Sequence, residues 1–463
     1  MGKAASSTSK LPLHCVDVVE AGEAPRPNRV GCEIGRDLSF DTTGLEAYCF
    51  ANWDARVFDA FALAAAVQFC DHTRARSSVR WGREFELRMP VHDPTHWGSA
   101  AVSEALHTAL EFLTGDRWHI EFVSRTRNEQ APRQRNLVLP DGSRVIIPFS
   151  DGLDSLAVAG LLEREYGHSL IRVRLGSRSL GKQIPESKRI PFAAVPYHVR
   201  YREKRAVESS ARSRGFRFAL LSGIAAYLSD ASEVVVPESG QGALGPVLVP
   251  VGQAYEDYRS HPLFTDLMEA FLLALFGHEV RYAYPRLWYT KAETLAAFIA
   301  ACPNSDSWAR TRSCWQGPRQ VSVSQQLRQC GICAACMLRR MSVHAAGDSE
   351  LKDTYVWEDL SAPCFEKGAT KEFGKVKSQG AQYEYAIAGV LHLDHLANLS
   401  HSSANRVPLE RQIFRLSRST SLSEQQARLR LERLLTQHEK EWKRFVKSLG
   451  AGSFVAQWVM GRP

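Results

Sequence analysis

The sequence predicts an α/β protein built on a doubly wound parallel sheet, with a zinc knuckle, an N-terminal α+β module and a C-terminal helical region. Three observations predict this architecture. An apolar run at 145–149 leads through a short polar turn into a helical pattern. Further strand and helix patterns alternate as far as residue 236, which favours a parallel sheet with crossover helices. Four cysteines lie close together between positions 314 and 336.

The polar turn at 150–155 has the sequence Ser-Asp-Gly-Leu-Asp-Ser and is the first candidate site. From Leu156 onward apolar residues recur at helical spacing, so the turn joins the end of a strand to the start of a helix. The amides of such a turn and the positive end of the helix dipole attract anions. Ser150 and Ser155 add hydroxyl donors, and Asp154 offers a carboxylate that could hold Mg²⁺ against phosphate. The alternative is a Ser/Asp-rich turn that only caps the helix.

Two later segments predict polar turns at the same edge of the sheet. The pattern at 171–176 predicts a second strand that ends at Gly176, and 234–236 predicts another, followed by Glu238. A helix is predicted between them, over 216–228. Ligands of open parallel sheets bind beyond the carboxyl ends of the strands. The three turns are therefore expected to converge on one cleft.

The clustered cysteines have the spacing C-x15-C-x2-C-x2-C. Four thiolates satisfy tetrahedral Zn²⁺ and leave no open position, so we predict a structural zinc ion held by Cys314, Cys330, Cys333 and Cys336. The other six cysteines are scattered singly, as is typical of a reducing cytoplasm and not of a disulfide framework. The predicted localisation is cytoplasmic.

Length predicts more than one domain, because a chain of 463 residues exceeds a single compact core. We assign residues 1–15 to a flexible tail and 16–128 to an N-terminal α+β domain. Residues 129–345 form the domain with the polar turn and the cysteines, and 346–463 form a mainly helical region.

Composition restricts the partners. The net charge of +8 is modest for this length; it suits a nucleotide or an acidic partner and argues against direct nucleic-acid binding. No apolar run approaches the roughly 20 residues that span a bilayer, so no membrane association is expected.

In the C-terminal region Ser423 and Gln426 predict a capping box. The following apolar stripe predicts core packing, with a partner-binding helix as the alternative.

The turn and the knuckle together resemble the 7-cyano-7-deazaguanine synthase (QueC) family of PP-loop ATP pyrophosphatases. The turn is similar to the family's SGGxDS loop, with Asp151 at a position where the family usually has glycine. Residues 290–293 resemble its TKAE helix start, 313–315 its SCY/SCW segment, and 330–339 its CGxCxxCxxR segment. The similarity covers roughly 135–345 and implies an adenine nucleotide alpha hydrolase-like fold.

The resemblance implies an ATP-dependent carbon–nitrogen ligase that forms AMP and pyrophosphate, with ATP, Mg²⁺ and structural Zn²⁺. QueC-like enzymes adenylate 7-carboxy-7-deazaguanine, and an amine then attacks the acyl-adenylate. The catalytic residues implied here are Ser150, Asp154, Ser155 and Glu238. The residues implied to bind ATP are Ser150, Asp151, Gly152, Leu153, Asp154, Ser155, Val173, Gly176 and Arg214.

Several of these assignments have an alternative of about equal weight. Arg212 and Arg214 could bind phosphate or form a solvated basic turn. Glu238 and Gln241 could contact the deazaguanine edge or the incoming amine, or lie in an exposed loop, the commoner place for glutamate. Lys291 could pair with phosphate, although its neighbours chiefly indicate a helix cap.

The N-terminal extension and the segment 238–242 are more similar to the QueC-like proteins (QatC type) of the Qat anti-phage defence operon. This similarity implies a defence role and a partner protein from the same operon, whose amine could receive the deazaguanine. One alternative is 7-cyano-7-deazaguanine synthesis for queuosine or other deazapurines. Another is a tRNA-thiolating PP-loop enzyme, although the remaining cysteines contain no close pair. A third is a non-enzymatic adaptor, to which Asp151 gives some weight.

Overall fold

The computed structural model describes residues 13–40, 54–77, 80–127, 144–150, 152–174, 197–201, 207–250, 254–373 and 379–461. The strands in these ranges are β1 (Leu13–Val19), β2 (Val30–Glu33), β3 (Leu38–Phe40), β4 (Glu84–Val91), β5 (Arg117–Ser124), β6 (Val145–Pro148), β7 (Leu170–Val173), β8 (Tyr197–Val199), β9 (Glu233–Val235), β10 (Arg281–Ala283), β11 (Ser322–Val323) and β12 (Gln326–Leu327). The α-helices are α1 (Ala55–Thr73), α2 (Pro94–Trp97), α3 (Ala100–Thr114), α4 (Leu153–Tyr166), α5 (Arg214–Ser229), α6 (Gly240–Ala243), α7 (Gly245–Leu248), α8 (Pro262–Phe276), α9 (Lys291–Ala301), α10 (Pro318–Val321), α11 (Ala334–Ala346), α12 (Gln379–Ala397), α13 (Arg406–Ser419), α14 (Glu424–Leu449) and α15 (Phe454–Val459).

The N-terminal part contains a four-stranded sheet of order β2-β1-β4-β5 in which every pair is parallel. We predicted an α+β module here. The structure instead has parallel strands, whose connections need crossover segments such as α1 and α3. The sequence pattern of Val102, Ala105, Leu106, Leu110 and Leu113 predicts one apolar helix face, and in α3 Val102, Leu106 and Leu110 are buried. Strand β1 begins at Leu13, within the range 1–15 that we assigned to the tail; residues 1–12 lie outside the described residues.

The second sheet has the order β10-β9-β6-β7 and is also parallel throughout. Helices cover both of its faces. Ile146 packs in the cluster that contains Leu220 of α5, whereas Val145 and Ile147 pack with Val158 of α4. The alternation follows from the two-residue period of a strand. The predicted α/β class with parallel sheets is confirmed.

The two sheets share one hydrophobic core. A single buried cluster contains Phe61 of α1 and Leu110 of α3 from the first part, and Ile146 of β6 from the second. The helices α5 and α8 contribute Phe216 and Phe271 to the same cluster. Residues on both sides of position 128 therefore belong to one packed unit.

The C-terminal region is mainly helical from Gln379 onward, whereas residues 347–364 form turns and isolated bridges, and α14 connects two apolar clusters. The predicted capping box at Ser423 is present, with both reciprocal hydrogen bonds to Gln426. One end of the apolar stripe packs with Leu244 and Leu287, and the other end packs with the cysteine knuckle. The residues of the stripe are Leu431, Leu434, Leu435, Trp442, Phe445, Val446 and Leu449. The prediction of core packing is confirmed. Among the described helices, none is long and apolar enough to cross a membrane.

Candidate nucleotide site and metal centre

The turn between β6 and α4 is closed by its own serines. Ser150 Oγ and Ser155 Oγ lie 2.9 Å apart, and the Gly152 N–H donates to Ser150 Oγ at 3.1 Å. Ser155 Oγ also lies 3.0 Å from the Gly152 carbonyl oxygen. Gly152 is the N-cap of α4, and no side chain caps this 14-residue helix. Among the described residues no side chain accepts from its first amides, so these amides could face an anion. Asp151 lies outside the described residues.

Asp154, in the first turn of α4, forms an ion pair with Lys291. Lys291 Nζ contacts Asp154 Oδ2, and the two side chains are only 8% and 13% exposed. Asp154 Oδ1 is buried and has no hydrogen-bond partner among the residues that the structure describes. One carboxylate oxygen is thus held by a cation, whereas the other is unsatisfied, which is costly for a buried charged group.

Lys291 is held at the start of α9 by its neighbours. Thr290 and Glu293 form the predicted capping box, with both reciprocal hydrogen bonds present. This local pattern indicated a cap for the helix. It gave no information about the direction of the Lys291 side chain, which depends on α4 packing beside α9.

Glu238 follows β9, the neighbour of β6, so it lies at the same edge of the sheet as Ser150. Its side chain is half-buried. Burial, and secondly the negative charge of Asp154, raises the pKa of Glu238 to about 7, although Lys291 and Arg214 oppose the shift. A Cβ atom on Gly242 would collide with Glu238 Oε2. Asp154, Glu238 and Lys291 therefore form one electrostatic cluster at the switch point between β6 and β9.

Two arginines flank this cluster. Arg214 is the first residue of α5, and desolvation, followed by the positive charge of Arg259, lowers its pKa. Arg259 packs against Gly215, whose ideal Cβ would lie 3.0 Å from the Arg259 Cα. Nothing in the local sequence pointed to Arg259, because it follows a loop far from any motif. Arg212 is occupied elsewhere, since it pairs with Asp257 at 3.1 Å and donates to the Tyr255 carbonyl at 2.8 Å.

Three further residues were candidates for contacts with ATP or the substrate. Gln241 is buried, and its amide is engaged within the protein by the Lys291 N–H at 2.7 Å and by His438 at 2.9 Å. The Val173 carbonyl accepts the Phe149 N–H at 2.8 Å, so that this carbonyl serves the sheet. Gly176 lies outside the described residues.

The four predicted cysteine ligands come together. The Sγ atoms of Cys314, Cys330, Cys333 and Cys336 all lie within 4.8 Å of one another and could hold one metal ion. Backbone amides donate to the sulfurs, with the Cys330 N–H 3.2 Å from Cys314 Sγ and the Cys333 N–H 3.3 Å from Cys330 Sγ. Hydrogen bonds from the neighbouring thiols, Cys330 first, hold the pKa of Cys314 well below its usual range. A thiolate-only set of four fits structural zinc.

The helix α11, which begins at the cysteine cluster, packs near the turn at 150–155. The buried Arg339 of α11 donates to the Thr311 carbonyl at 2.8 Å and so fixes the chain that leads to Cys314. A buried cluster joins Leu153 of α4 with Leu295 of α9 and Val343 of α11. Folding of the cysteine knuckle therefore supports the position of the turn.

Comparisons with known proteins give a short match. An 81-residue stretch is 35% identical to the tRNA-specific 2-thiouridylase MnmA of Bartonella bacilliformis, over 14% of this chain and 21% of the relative. The MnmA proteins of Bartonella quintana and Brucella suis are 33% and 35% identical over 81 residues, which cover 14% of this chain and 20% of each relative. The match thus spans about a fifth of the length of these relatives. No family model and no solved structure matches the chain.

MnmA belongs to the PP-loop ATP pyrophosphatases. The similarity therefore supports a relationship at the level of the PP-loop superfamily, without selecting a family within it.

Proposed function

We propose that the protein is an ATP-dependent ligase of the QueC type, which adenylates a carboxylate and joins it to an amine with release of pyrophosphate and AMP. The observation that carries the proposal is the cluster of Asp154, Lys291 and Glu238 beside the N-terminus of α4. In the second sheet the first strand along the chain, β6, lies between the second and the third. A doubly wound sheet binds its ligands at such a reversal of strand order.

The groups around the turn fit a departing pyrophosphate. The free amides of the first turn of α4 and its dipole would face the anion. Lys291 Nζ would move from Asp154 to a phosphate oxygen, and Arg214 supplies a second positive charge at the same edge. Fixed donors of this kind stabilise the charge that develops on the leaving group. Ser150 and Ser155 would keep the turn in shape through their mutual hydrogen bond.

A divalent cation fits the same place. Asp154 Oδ1 is buried without a partner in the described part of the chain, and Glu238 is near enough for its ionisation to respond to the charge of Asp154. Mg²⁺ is commonly bound by one or two carboxylates together with substrate phosphates. When bound, it would neutralise charge on the pyrophosphate. Asp154 is the residue that we propose to hold it.

The proposed substrate is 7-carboxy-7-deazaguanine, as the family resemblance implies. Glu238 supports this choice, because an ionised carboxylate can accept hydrogen bonds from the N1–H and the 2-amino group of a guanine-like ring. The Glu238 carboxylate lies against Gly242, where a Cβ atom would collide with it. With a pKa near 7, Glu238 could instead accept the proton of the incoming amine.

Adenylation and amine attack need no reactants other than the carboxylate, ATP and the amine. The substrate carboxylate attacks the α-phosphorus of ATP, and the bond to pyrophosphate breaks. The amine then attacks the acyl carbon and loses one proton, and AMP leaves with the bonding electrons. Ammonia yields an amide, which a second ATP can dehydrate to a nitrile, whereas a protein amine yields a conjugate.

We further propose a cytoplasmic role in anti-phage defence, in which the amine belongs to a partner protein of the same operon. The additional N-terminal sheet and the C-terminal helices flank the ligase core and offer surface for such a partner. The test is the intact mass of the operon's proteins after incubation with this chain, ATP and 7-carboxy-7-deazaguanine. An added deazaguanine acyl group supports the partner role. Unchanged masses with free nitrile formed from ammonia favour deazapurine biosynthesis.

A second candidate function is tRNA thiolation, which the MnmA similarity favours. The positions of the cysteines outside the quartet argue against this function. Among the described cysteines outside the quartet, Cys302 ends α9 and packs with Leu156 and Ile299. It lies about 16 Å along the helix from Lys291, at a rise of about 1.5 Å per residue. Thionucleoside analysis of tRNA incubated with the protein, ATP and a sulfur donor would detect this activity.

The core proposal is tested by measuring AMP and pyrophosphate formed from ATP, Mg²⁺ and 7-carboxy-7-deazaguanine. The matched pair of variants is Asp154→Asn and Asp306→Asn, because Asp306 lies in an exposed ion pair with Arg310. We expect a loss of at least about 100-fold for Asp154→Asn and wild-type rates for Asp306→Asn. A protein that binds ATP but releases no pyrophosphate under any condition would be an adaptor.

A further inference from the structure

The C-terminal helix α14 reaches the N-terminus of α9 through a chain of buried hydrogen bonds. His438, which is fully buried, contacts Gln241 at 2.9 Å, and Gln241 contacts the backbone N–H of Lys291 at 2.7 Å. Neither of these two contacts involves the nucleotide turn directly. They end, however, at the residue whose ammonium group pairs with Asp154.

The chemistry of the partners fixes the direction of every bond in this chain. The Leu393 carbonyl lies 2.9 Å from His438 Nε2 and can only accept, so Nε2 carries the hydrogen. Burial, the largest effect, lowers the pKa of His438 to about 4, so the ring is neutral and Nδ1 accepts from Gln241 Nε2. Gln241 Oε1 then accepts from Lys291 N–H.

A second contact from α14 holds the preceding residue. Thr290 Oγ donates to Glu441 Oε1 at 2.7 Å, and Glu441 is buried one helical turn after His438. Leu434, one turn before His438, packs so closely on Gly240 that a Cβ there would collide with it. Successive turns of α14 therefore fix both the 238–242 segment and the first turn of α9.

We propose that His438 and Gln241 are positioning residues, which set the first turn of α9 and through it the Lys291 ammonium against Asp154. The effect on catalysis rests on the proposed function, whereas the effect on local structure does not. Through His438, the C-terminal region takes part in setting the geometry of the nucleotide site. A helix that merely covered the core would need no hydrogen-bonded contact with Lys291.

Two substitutions at His438 separate the two bonds of its ring. In His438→Asn the side-chain oxygen takes the place of Nδ1 and can still accept from Gln241. In His438→Gln the side-chain nitrogen takes the place of Nε2 and keeps the bond to Leu393, but the acceptor for Gln241 is lost. His401→Gln is the control, because His401 forms an exposed pair with Glu439, which lies next to His438 on α14.

Hydrogen exchange of the full-length protein, followed by mass spectrometry, is the first measurement. We expect amides at the start of α9 and in the turn at 150–155 to exchange about tenfold faster in His438→Gln, and near the wild-type rate in His438→Asn and His401→Gln. Equal exchange in His438→Gln and His438→Asn, or a change confined to α14, would overturn the proposal. If His438→Gln does not fold, Gln241→Met removes the same bond from the other side.

Pyrophosphate release is the second measurement. His438→Gln should lower kcat about tenfold with little change in the KM for ATP, because a misplaced Lys291 weakens stabilisation of the leaving group. His438→Asn should restore most of kcat. If the wild-type protein releases no pyrophosphate, the proposed function fails, but the exchange experiment still decides the positioning role. If kcat is unchanged while exchange rises, Lys291 placement does not control the reaction.

Discussion

The ammonium group of Lys291 pairs with Asp154 across 137 positions of the chain. The pair joins the first residue of α9 to the first turn of α4, where the free helix amides lie. It leaves one Asp154 oxygen unsatisfied and influences the ionisation of Glu238. The pair thereby connects the turn predicted from sequence to the acid that follows the neighbouring strand.

The first prediction concerns the energy of this pair. Lys291→Met and Asp154→Asn should each lower the free energy of unfolding by about 2–3 kcal/mol, because each leaves a poorly solvated group without its partner. The loss in the double variant should be smaller than the sum of the two single losses by at least about 1 kcal/mol. Urea unfolding gives the free energy of unfolding of the wild type, the two single variants and the double variant. The exposed pair of Asp306 and Arg310 is the control and should contribute less than about 0.5 kcal/mol; full additivity for Lys291 and Asp154 would contradict the account.

The second prediction concerns the pH dependence of stability. The pKa of Glu238 is raised to about 7 in the folded protein, so folding favours its protonated form. The associated stability is fully present below the unfolded pKa of about 4.5 and is lost as the pH rises through about 7. Glu238→Gln should match the wild type at pH 5 and exceed it by about 2 kcal/mol at pH 8.

Thermal or urea unfolding across pH 5–8 measures this difference. The matched control is Glu384→Gln, since Glu384 is exposed on α12. Its difference from the wild type should not vary with pH. A pH-independent difference for Glu238→Gln would show that Glu238 is ionised throughout this range.

The third prediction concerns the metal. Elemental analysis should find one zinc ion per chain, and Cys333→Ser should lose it. Because four thiolates bind structural zinc with about 10 kcal/mol or more of apparent free energy, chelation should unfold the knuckle and loosen α11. Cys364→Ser is the control, because Cys364 lies outside the quartet. Full zinc content in Cys333→Ser would contradict the assignment.

The fourth prediction tests the close contact between Gly242 and Glu238. Gly242→Ala introduces a Cβ that collides with Glu238 Oε2, so the carboxylate must move. We expect kcat/KM for the deazaguanine substrate to fall at least about tenfold, a cost of about 1.4 kcal/mol in transition-state binding. Gly380→Ala serves as the control, because Gly380 of α12 has open space around it. Unchanged kinetics in Gly242→Ala would remove Glu238 from the reaction.

Local chemistry made part of this structure predictable. The capping boxes at Thr290 and Ser423 depend on residues three positions apart, and the knuckle at 330–336 depends on closely spaced cysteines. The strand, turn and helix at 145–166 follow from hydrophobic periodicity and glycine alone. These features need little information from the rest of the fold.

The features that were not predictable depend on contacts between distant segments. The pattern of Glu84–Val91 predicts a strand, but not that all four strands of its sheet run parallel. For Gln241 the sequence left a ligand contact and an exposed loop as equal alternatives, whereas in the structure the approach of α14 buries its amide against His438. Lys291 gains its place in the site only when α9 packs on α4, and Arg259 only when the loop before α8 packs against Gly215 of α5.

ATP–pyrophosphate exchange tests the central claim most directly. Radiolabelled pyrophosphate should enter ATP only when Mg²⁺ and 7-carboxy-7-deazaguanine are both present, because reversal of adenylation needs an acyl-adenylate bound at the turn. The account predicts exchange by the wild-type protein and by Asp306→Asn, and its loss in Asp154→Asn. Exchange that ignores the carboxylate, or that persists in Asp154→Asn, would contradict it.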